Sequence, residues 1–374
     1  MAGIKPKKTP AAEKLVPLLD LGPEEVAAEL TGRLASWDEK PYRTRQILRQ
    51  IYQRRNLDFC RMSDLSAGLR EKLASTYKLL VLEAQEESFS RDGTKKTLWS
   101  LEDSACLESV TIPMKRDRST LCLSTQTGCA LKCTFCATGQ LGAGRNLTPG
   151  EILCQVLILM GCGNDSGIGQ EDRSRAPNIV FMGMGEPFLN YENLKKALSV
   201  LNHNDFMQVG ARRITVSTVG LPDEIVRFSR DFPQMKLAVS LHAAHEPLRK
   251  KLMPVARRFS LASVIEACRE ANRITGRRIT FEYLVIQGVN DLPEDVEALT
   301  RLTSNLPCKI NLIPFNPVEG VPFKPPSQEE LEIFQKRLLV SCKQAVTLRR
   351  SHGTDIEGAC GQLAARPALR QSQR

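Results

Sequence analysis

Residues 120–136 read TLCLSTQTGCALKCTFC, and they place a strand-like run directly before a loop rich in cysteine. The run Leu121–Gln126 is predicted to be a β-strand. Three thiols, those of Cys129, Cys133 and Cys136, follow it within eight residues. A strand that ends in a loop of reactive side chains is typical of a sheet whose carboxyl edge carries the functional site.

The chain after this loop alternates strand-like runs with helical ones. Further strands are predicted near residues 178–183, 213–220, 236–243, 278–286 and 309–316. Helical patterns fall near residues 149–160, 192–201, 222–228, 261–275 and 293–304. Six such steps in one direction predict an α/β fold with parallel strands and right-handed crossovers, built either as an open doubly wound sheet or as an incomplete barrel.

Six segments are predicted from composition and periodicity and, for the segment around Cys360, from a resemblance described below. They are a disordered tail (1–14), an N-terminal helical accessory domain that contacts RNA (15–87), a short β extension (88–117), the barrel (118–346), a C-terminal segment that carries Cys360 (347–364) and a second disordered tail (365–374). The RNA contact rests on six cations, with no acid, between Lys40 and Leu57. Those cations fit a solvated helix face as well as a contact with RNA phosphates.

Composition limits the class of protein. The 374 residues are 42% hydrophobic and 25% charged, which excludes disorder as the main state. The net charge of +10 favours a polyanionic partner without identifying one. Twelve cysteines are too sparse for a disulfide scaffold, and no apolar run has the length of a membrane span or follows a basic leader. The chain is therefore expected to be cytoplasmic, with reduced thiols and no membrane partner.

The three clustered thiols narrow the chemistry. Disulfide pairing cannot use an odd number of them, and a closed structural zinc site needs four ligands. A [4Fe–4S] cluster held by these three thiolates would leave one iron open to a small ligand. A zinc site completed by a distant cysteine, or chance clustering, stays the alternative. The other seven cysteines lack ligand spacing and are predicted to be small buried hydrophobic side chains: Cys60, Cys106, Cys154, Cys162, Cys268, Cys308 and Cys342.

The spacing C-x3-C-x2-C after the first strand resembles the signature of the radical S-adenosylmethionine (SAM) enzymes. Together with residues 120–129, 240–243, 311–316 and 358–363, it resembles the RlmN/Cfr family of RNA adenine methyltransferases over about residues 20–364. The resemblance implies an incomplete (βα)6 radical SAM barrel, one [4Fe–4S] cluster on three cysteines, and SAM as the ligand of the open iron. Cleavage of that SAM yields a 5′-deoxyadenosyl radical.

The resemblance also implies roles for single residues. Cys360 becomes the S-methylcysteine intermediate, Cys122 is the resolving thiol that forms a transient disulfide with it, and Glu108 is the proton acceptor. SAM is expected to contact Gly185, Glu186, Ser217, Ser240, Leu241, His242 and Asn316. Glu186 offers an acceptor to the SAM ammonium group. By itself, Glu108 also fits a strand end that faces solvent, and His242 also fits a structural role.

The function expected from the resemblance is methylation of C2 of an adenosine in 23S rRNA, at the peptidyl transferase centre, with two SAM molecules per turnover. The tRNA adenosine 3′ to the anticodon is a second candidate substrate, since one site accepts either base if each is splayed out. An electron donor of flavodoxin or ferredoxin type is the other expected partner, and the protein is expected to be a monomer. Two alternatives stay open: C8 methylation, as in the Cfr branch, and a non-catalytic iron–sulfur protein that binds RNA.

Overall fold

The computed structural model describes residues 15–115, 118–161 and 176–365. Both predicted tails, except Ala365, lie outside the described residues, and so does Cys162. Within the three ranges, a helical N-terminal region precedes a ten-stranded sheet.

The N-terminal region is helical over most of its length. It contains α1 (Pro23–Ser36), α2 (Tyr42–Leu48) with a π-helical turn after it (Arg49–Gln53), and α3 (Ala67–Thr76). At the start of α1, the backbone N–H of Gly22 donates to the Glu25 carboxylate at 2.8 Å. Val26, Leu30 and Leu34 recur at helical spacing in α1 and are buried. The apolar residues that recur at helical spacing therefore form the buried face of α1, as predicted.

One strand pairing within the helical region and two polar contacts with the main body hold this region in place. Its first and last residues form a parallel pair of strands, β1 (Val16–Pro17) and β2 (Tyr77–Lys78). The Lys196 ammonium of the main body lies 2.8 Å from the Glu25 carboxylate, and the Gly150 N–H donates to Asp20 at 2.8 Å. The accessory region thus has a defined position on the main body.

One sheet of ten strands forms the centre of the described chain. Its strands are β3 (Leu82–Phe89), β4 (Lys95–Leu101), β5 (Cys106–Met114), β6 (Arg118–Cys122), β7 (Asn178–Phe181), β8 (Ile214–Thr218), β9 (Lys236–Ser240), β10 (Ile279–Val285), β11 (Cys308–Pro314) and β12 (Ala345–Leu348). They follow one another in sequence order, antiparallel from β3 to β6 and parallel from β6 to β12.

The parallel part of the sheet is strongly curved. Arg349 directly follows β12, yet its Nη1 lies 3.4 Å from the Sδ of Met182, which directly follows β7. Residues that follow strands five positions apart in the sheet can meet only if the sheet curls. No pairing joins β12 to β6 within the described residues, so the ring stays open there. The predicted α/β fold with an incomplete barrel is confirmed.

Helices connect the parallel strands. They are α4 (Ala137–Leu141), α5 (Pro149–Leu159), α6 (Tyr191–Asn202), α7 (Pro222–Asp231), α8 (Glu246–Leu252), α9 (Leu261–Thr275), α10 (Pro293–Thr303) and α11 (Gln328–Ser341). Five of them, α5, α6, α7, α9 and α10, lie where helical patterns were predicted. In the part of the chain that the structure describes, no helix combines the length and apolar character that crossing a bilayer requires.

Three strands, β6, β12 and β3, differ notably from the prediction. β6 ends at Cys122, before the predicted end, because the Ser124 N–H donates to the Gln155 side chain at 3.0 Å and not to a neighbouring strand. β12 was not predicted, and it crosses the predicted boundary between the barrel (118–346) and the C-terminal segment (347–364). The first strand of the β extension, β3, also begins earlier than expected, at Leu82. The Asp92-Gly93 turn is present, with Gly93 at φ +83°.

Candidate active site

The carboxyl ends of the parallel strands surround a cavity of about 150 Å³. Nine predicted site residues line it: Cys129, Cys133, Cys136, Gly185, Glu186, Ser217, Ser240, His242 and Cys360. They come from the loops after β6 and β7, from the ends of β8 and β9, and from the C-terminal segment. The curled sheet therefore gathers on one cavity residues that are distant in the sequence.

Four predicted site residues lie outside this lining. Leu241 is part of the apolar core, with none of its side chain exposed. Asn316 donates from Nδ2 to the backbone carbonyl of Cys360 at 3.1 Å, so it positions the C-terminal segment. Cys122 lines a smaller cavity of about 20 Å³ that adjoins the first one and that Cys360 also lines. Glu108 contacts the end of the same segment.

The cysteine loop is held by its backbone. The Cys129 N–H donates to the Gly142 carbonyl at 2.8 Å, and the Thr134 N–H donates to the Leu252 carbonyl at the end of α8 at 2.9 Å. Burial raises the pKa of the Cys129 thiol to about 11 and that of Cys133 well above its ordinary value. Such thiols ionise readily only when a metal replaces the proton.

The three thiols share one space. Cys129, Cys133 and Cys136 all line the same cavity, and they interact electrostatically with one another. A [4Fe–4S] cluster held by three thiolates binds each of them to a different iron and leaves the fourth iron open. Three thiols on one cavity wall are a donor set that fits the predicted cluster.

Glu186 and Gly185 form a buried acidic corner of the cavity. Gly185 has φ +96°, and a Cβ added there would lie 2.5 Å from the Cβ of Gln126, so only glycine fits. The Glu186 carboxylate accepts hydrogen bonds from the N–H groups of Phe188 at 3.1 Å and Val219 at 2.9 Å. Burial outweighs these bonds and raises the pKa of Glu186 to about 7. A cationic group bound in the cavity would stabilise the carboxylate.

His242 is held as a neutral donor. Its Nδ1 accepts a hydrogen bond from the Leu284 N–H at 3.0 Å, which leaves the proton on Nε2. Burial, with a smaller contribution from the nearby Arg249 cation, lowers the pKa of His242 to about 3. The ring also packs edge-on against Phe135, with 4.9 Å between the ring centroids. His242 thus has satisfied structural contacts and also lines the cavity.

The C-terminal segment crosses the carboxyl ends of the strands and carries Cys360 into the cavity. The Ala137 N–H donates to the Gly361 carbonyl at 2.8 Å, and the Thr138 hydroxyl donates to the Leu363 carbonyl at 2.6 Å. Gly361 has φ +85°, a left-handed conformation that favours glycine. The segment is therefore fastened to the helix that directly follows the cysteine loop.

Glu108 is buried. The interpretation that placed it at a strand end facing solvent is therefore wrong. Its Oε1 lies 3.0 Å from the Lys96 ammonium, and its Oε2 accepts hydrogen bonds from the N–H groups of Ala364 at 2.9 Å and Ala365 at 3.1 Å. All described polar contacts of this carboxylate are thus with Lys96 or with the end of the C-terminal segment.

Two charged residues of the cavity were missed from the sequence, the half-buried Arg349 and the buried Glu282. Arg349 follows β12 and lines both cavities, and the neighbouring Cys360 thiol is the main influence that raises its pKa. Glu282 in β10 lines the larger cavity, with its Oε1 accepting from Asn311 at 3.2 Å. Arg349 escaped notice because β12 itself was not predicted; the rule that site residues follow strand ends would otherwise have selected it.

The remaining described cysteines divide into two groups. Cys154, Cys268, Cys308 and Cys342 are buried, as predicted. The prediction is wrong for Cys60, which is exposed, and for Cys106, which is only half-buried. Cys60 lies in a short turn after Asp58, and Cys106 is the first residue of β5, so neither reaches the core.

The basic stretch of the N-terminal region borders an open depression of about 1010 Å³. Tyr42, Arg45 and Arg49 of this stretch line it from one side, and residues 203–206 of the main body line it from the other. Tyr42 is 57% exposed, and both arginines are exposed as well. Exposed cations beside an exposed aromatic ring suit contact with a nucleic acid.

Two family models match the chain. The model described as the radical SAM superfamily matches residues 123–302, and that described as the ribosomal RNA large subunit methyltransferase N-terminal domain matches residues 18–79. The first match covers the cysteine loop, strands β7 to β10 and most of α10, and the second covers the helical accessory region.

Curated relatives match nearly the whole chain. The dual-specificity RNA methyltransferase RlmN of Anaeromyxobacter dehalogenans is 45% identical over 343 residues, which are 92% of this chain and 90% of the relative. The protein named RlmN 2 of Myxococcus xanthus is 44% identical over 362 residues, 97% of this chain and 94% of the relative. A solved radical SAM methyltransferase from Sphaerobacter thermophilus superposes with a TM-score of 0.86 at 43% identity, covering 94% of this chain and 100% of that one.

Proposed function

Because this chain belongs to the RlmN family of radical SAM RNA methyltransferases, we propose that it methylates C2 of an adenosine in 23S rRNA and of the tRNA adenosine 3′ to the anticodon. The observation that carries the proposal is the shared cavity, which brings Cys360 to the same space as the three-cysteine loop. Adenine C2 is not nucleophilic, so a direct displacement on SAM cannot methylate it, and a protein-bound methyl carrier is required.

We propose that Cys129, Cys133 and Cys136 hold the [4Fe–4S] cluster and that Glu186 accepts the SAM ammonium. When bound, the cluster and SAM supply a methyl cation equivalent and a 5′-deoxyadenosyl radical. The burial of Glu186 supports its part, since a carboxylate with a raised pKa gains most from a cationic partner. Ser217, Ser240 and the Nε2–H of His242 complete the polar lining on the same side. Leu241 and Asn316 would act indirectly, through the core and through the C-terminal segment.

Cys360 is proposed as the methyl carrier. Its sulfur takes a methyl group from one SAM, and hydrogen abstraction from that S-methyl group leaves a carbon radical that adds to C2. The Arg349 guanidinium, which lines both cavities beside Cys360, supplies the positive charge that a thiolate nucleophile needs. The cavity thus contains a nucleophile and its counter-charge.

Cys122 is proposed to release the product. It lines the small cavity together with Cys360, so its sulfur can attack the Cys360 sulfur of the RNA adduct. Once Glu108 has taken the ring proton, the S–C bond of the radical adduct breaks, and its carbon gains a proton to become the methyl group. The two sulfurs join as a Cys122–Cys360 disulfide, and the unpaired electron that the radical addition brought in leaves to the cluster that the three cysteines would hold. An external reductant then resets the disulfide. Electron donors of flavodoxin or ferredoxin type are the proposed source of electrons.

Glu108 is proposed as the acceptor of the ring proton. Its Oε2 is occupied by the N–H groups of Ala364 and Ala365. The end of the C-terminal segment must therefore move away before Glu108 can take a proton.

The depression beside Tyr42, Arg45 and Arg49 is the proposed RNA contact of the accessory region. The names of the relatives describe a dual-specificity RNA methyltransferase, which supports two RNA substrates. The protein is proposed to act as a cytoplasmic monomer.

Nucleoside analysis tests the proposal. The protein is reconstituted anaerobically with iron and sulfide, then incubated with SAM, a reductant and either protein-free 23S rRNA or a tRNA transcript. Mass spectrometry is expected to find 2-methyladenosine in both RNAs. Formation of 8-methyladenosine alone would assign the Cfr reaction, and a bound cluster with no methylated base would assign a non-catalytic RNA-binding protein.

A further inference from the structure

Arg249 is a permanently charged side chain in the interior of the protein. It lies in α8, and its residue is 0% exposed. Its Nη2 donates to the Val219 carbonyl at 2.6 Å, whereas Nε and Nη1 make no hydrogen bond with any described residue. A guanidinium does not lose its proton at physiological pH, and a buried cation with unused donors is destabilising unless a negative charge lies nearby. Two of the three guanidinium nitrogens of Arg249 therefore have no hydrogen-bond partner among the described residues.

Arg249 lies directly behind the wall of the larger cavity. It does not line the cavity, but Val219 and Met253 do. The Val219 carbonyl accepts from Arg249, while the Val219 N–H donates to Glu186 at 2.9 Å. The Met253 N–H donates to the Arg249 carbonyl at 2.7 Å. One layer of backbone thus separates the guanidinium from the cavity.

The groups that interact electrostatically with Arg249 are few. On its own helix, Glu246 already accepts from the Leu261 N–H at 2.7 Å and lies 3.3 Å from the Lys250 ammonium. The other groups are the Cys133 thiol of the cysteine loop, the Cys268 thiol of α9 and the imidazole of His242. Glu246 is the one carboxylate among these groups, and it is shared with Lys250.

Binding of a cluster would change this balance. Cys129, Cys133 and Cys136 would become thiolates, and the cluster with its ligands would carry net negative charge that grows when an electron is added. A fixed cation in a medium of low dielectric stabilises the more negative, reduced state more than the oxidised state. Such a cation therefore raises the reduction potential of the cluster.

We propose that Arg249 is a counter-charge built into the fold for the thiolate-ligated cluster, and that it raises the reduction potential of the cluster from behind the cavity wall. The proposal rests on the cluster site of the proposed function. Arg249 is a positioning residue, since it lies behind the cavity wall and does not line the cavity.

The test is a redox titration followed by electron paramagnetic resonance, on cluster-loaded protein without SAM or RNA. Arg249→Met removes the charge and keeps the bulk, and Arg249→Lys keeps the charge. Arg213→Met is the matched control, because Arg213 also donates from one guanidinium nitrogen to a backbone carbonyl, that of Ala176 at 2.9 Å, but precedes β8 at the opposite end of the sheet. We expect a more negative midpoint for R249M, a midpoint near that of the wild type for R249K, and no shift for R213M.

A second readout separates charge from shape. Loading the cluster is expected to raise the melting temperature more in the wild type than in R249M, because the thiolates gain a counter-charge only in the wild type. If R249M binds no cluster while R249K and R213M do, the charge is needed for loading, which also supports the proposal.

Three results would overturn it: a fully loaded R249M with an unchanged midpoint, equal stabilisation of R249M and wild type by the cluster, or equal failure of R249M and R249K to load. A wild-type protein that binds no cluster would instead refute the cluster site of the proposed function.

Discussion

The Oε2 of Glu108 accepts a hydrogen bond from the backbone N–H of Ala364 at 2.9 Å, although 256 positions separate the two residues in the sequence. This contact joins β5, on the antiparallel side of the sheet, to the end of the segment that carries Cys360. Glu108 therefore has two possible duties, holding the segment closed and accepting a proton, and it cannot perform both at once.

Glu108→Gln should loosen the C-terminal segment. Glutamine keeps the size of the side chain but loses its charge, and hydrogen bonds to charged groups contribute about 1.5–3 kcal/mol each. We expect amide hydrogen exchange at residues 353–365 to accelerate roughly tenfold or more in the cluster-free protein, since about 1.4 kcal/mol is a factor of ten. Glu87→Gln is the control, because Glu87 pairs with Lys95 at 2.7 Å in the same sheet but not with the segment. Equal exchange in both variants would show that Glu108 does not hold the segment.

Cys360→Ala should abolish RNA methylation without loss of the cluster. The side chain lines the cavity but is not one of the three clustered thiols. We expect the visible absorbance of the reconstituted cluster to persist while methyladenosine falls below detection. Cys342→Ala, which removes a buried thiol at the end of α11, should retain activity. Methylation by C360A at the wild-type rate would exclude Cys360 as the carrier.

Cys122→Ala should stop the reaction at the covalent stage. Without the second sulfur of the small cavity, the adduct between Cys360 and RNA cannot be resolved. Denaturing gels are expected to show a protein–RNA species that proteinase removes. The double variant C122A/C360A is the control and should show none. A C122A enzyme that turns over repeatedly would contradict the resolving role.

Glu186 should make the stability of the cluster-free protein depend on pH. Its pKa is raised by burial from 4.5 to about 7, so the carboxyl is neutral in both folded and unfolded states below about pH 4.5. Between there and pH 7 only the unfolded state releases the proton, and the Glu186 contribution to stability falls by up to about 3 kcal/mol. Urea denaturation at pH 5, 6 and 7 should show a smaller decline for Glu186→Gln than for the wild type. If the free energy of unfolding declined equally with pH in both proteins, Glu186 would not be the group whose pKa is raised.

The double variant Arg45→Glu/Arg49→Glu should weaken RNA binding at low salt. If both cations contact phosphates, the slope of log affinity against log salt should fall by roughly 0.7–0.9 for each lost contact. Filter binding with the tRNA transcript measures both effects. Lys336→Glu/Arg337→Glu makes the same change of charge on exposed positions of α11 and should have little effect. An equal loss of RNA affinity in the two double variants would indicate that RNA is attracted by net charge alone.

Local pattern predicted much of this molecule. The six strands β6 to β11 were visible because each is a short apolar run between helical patterns, and the three cysteines were visible because their spacing is regular. The rule that ligands bind beyond strand ends selected the run at 183–187, and the resemblance to the radical SAM enzymes then assigned Gly185 and Glu186 within it to SAM.

What escaped prediction depends on contacts between distant segments. Four residues, Ala345–Leu348, form a strand only because β11 already offers a paired edge, so Arg349 had no assigned place. The helix Glu246–Leu252 is mostly charged and shows little apolar period, and the burial of Arg249 could not be inferred from it. The partner of Glu108 lies near the other end of the chain, and no local pattern reports such a pairing.

The way in which the Cys360 segment is held has a consequence for its evolution and redesign. Asn316, Ala137, Thr138 and Glu108 all bind main-chain atoms of the segment. The position of this segment therefore depends more on its length than on the identity of its side chains. Exchanging neighbouring side chains, other than at the left-handed Gly353 and Gly361, should leave the thiol in place, whereas inserting or deleting a single residue between Gly353 and Ala364 would move Cys360 out of register with the cavity.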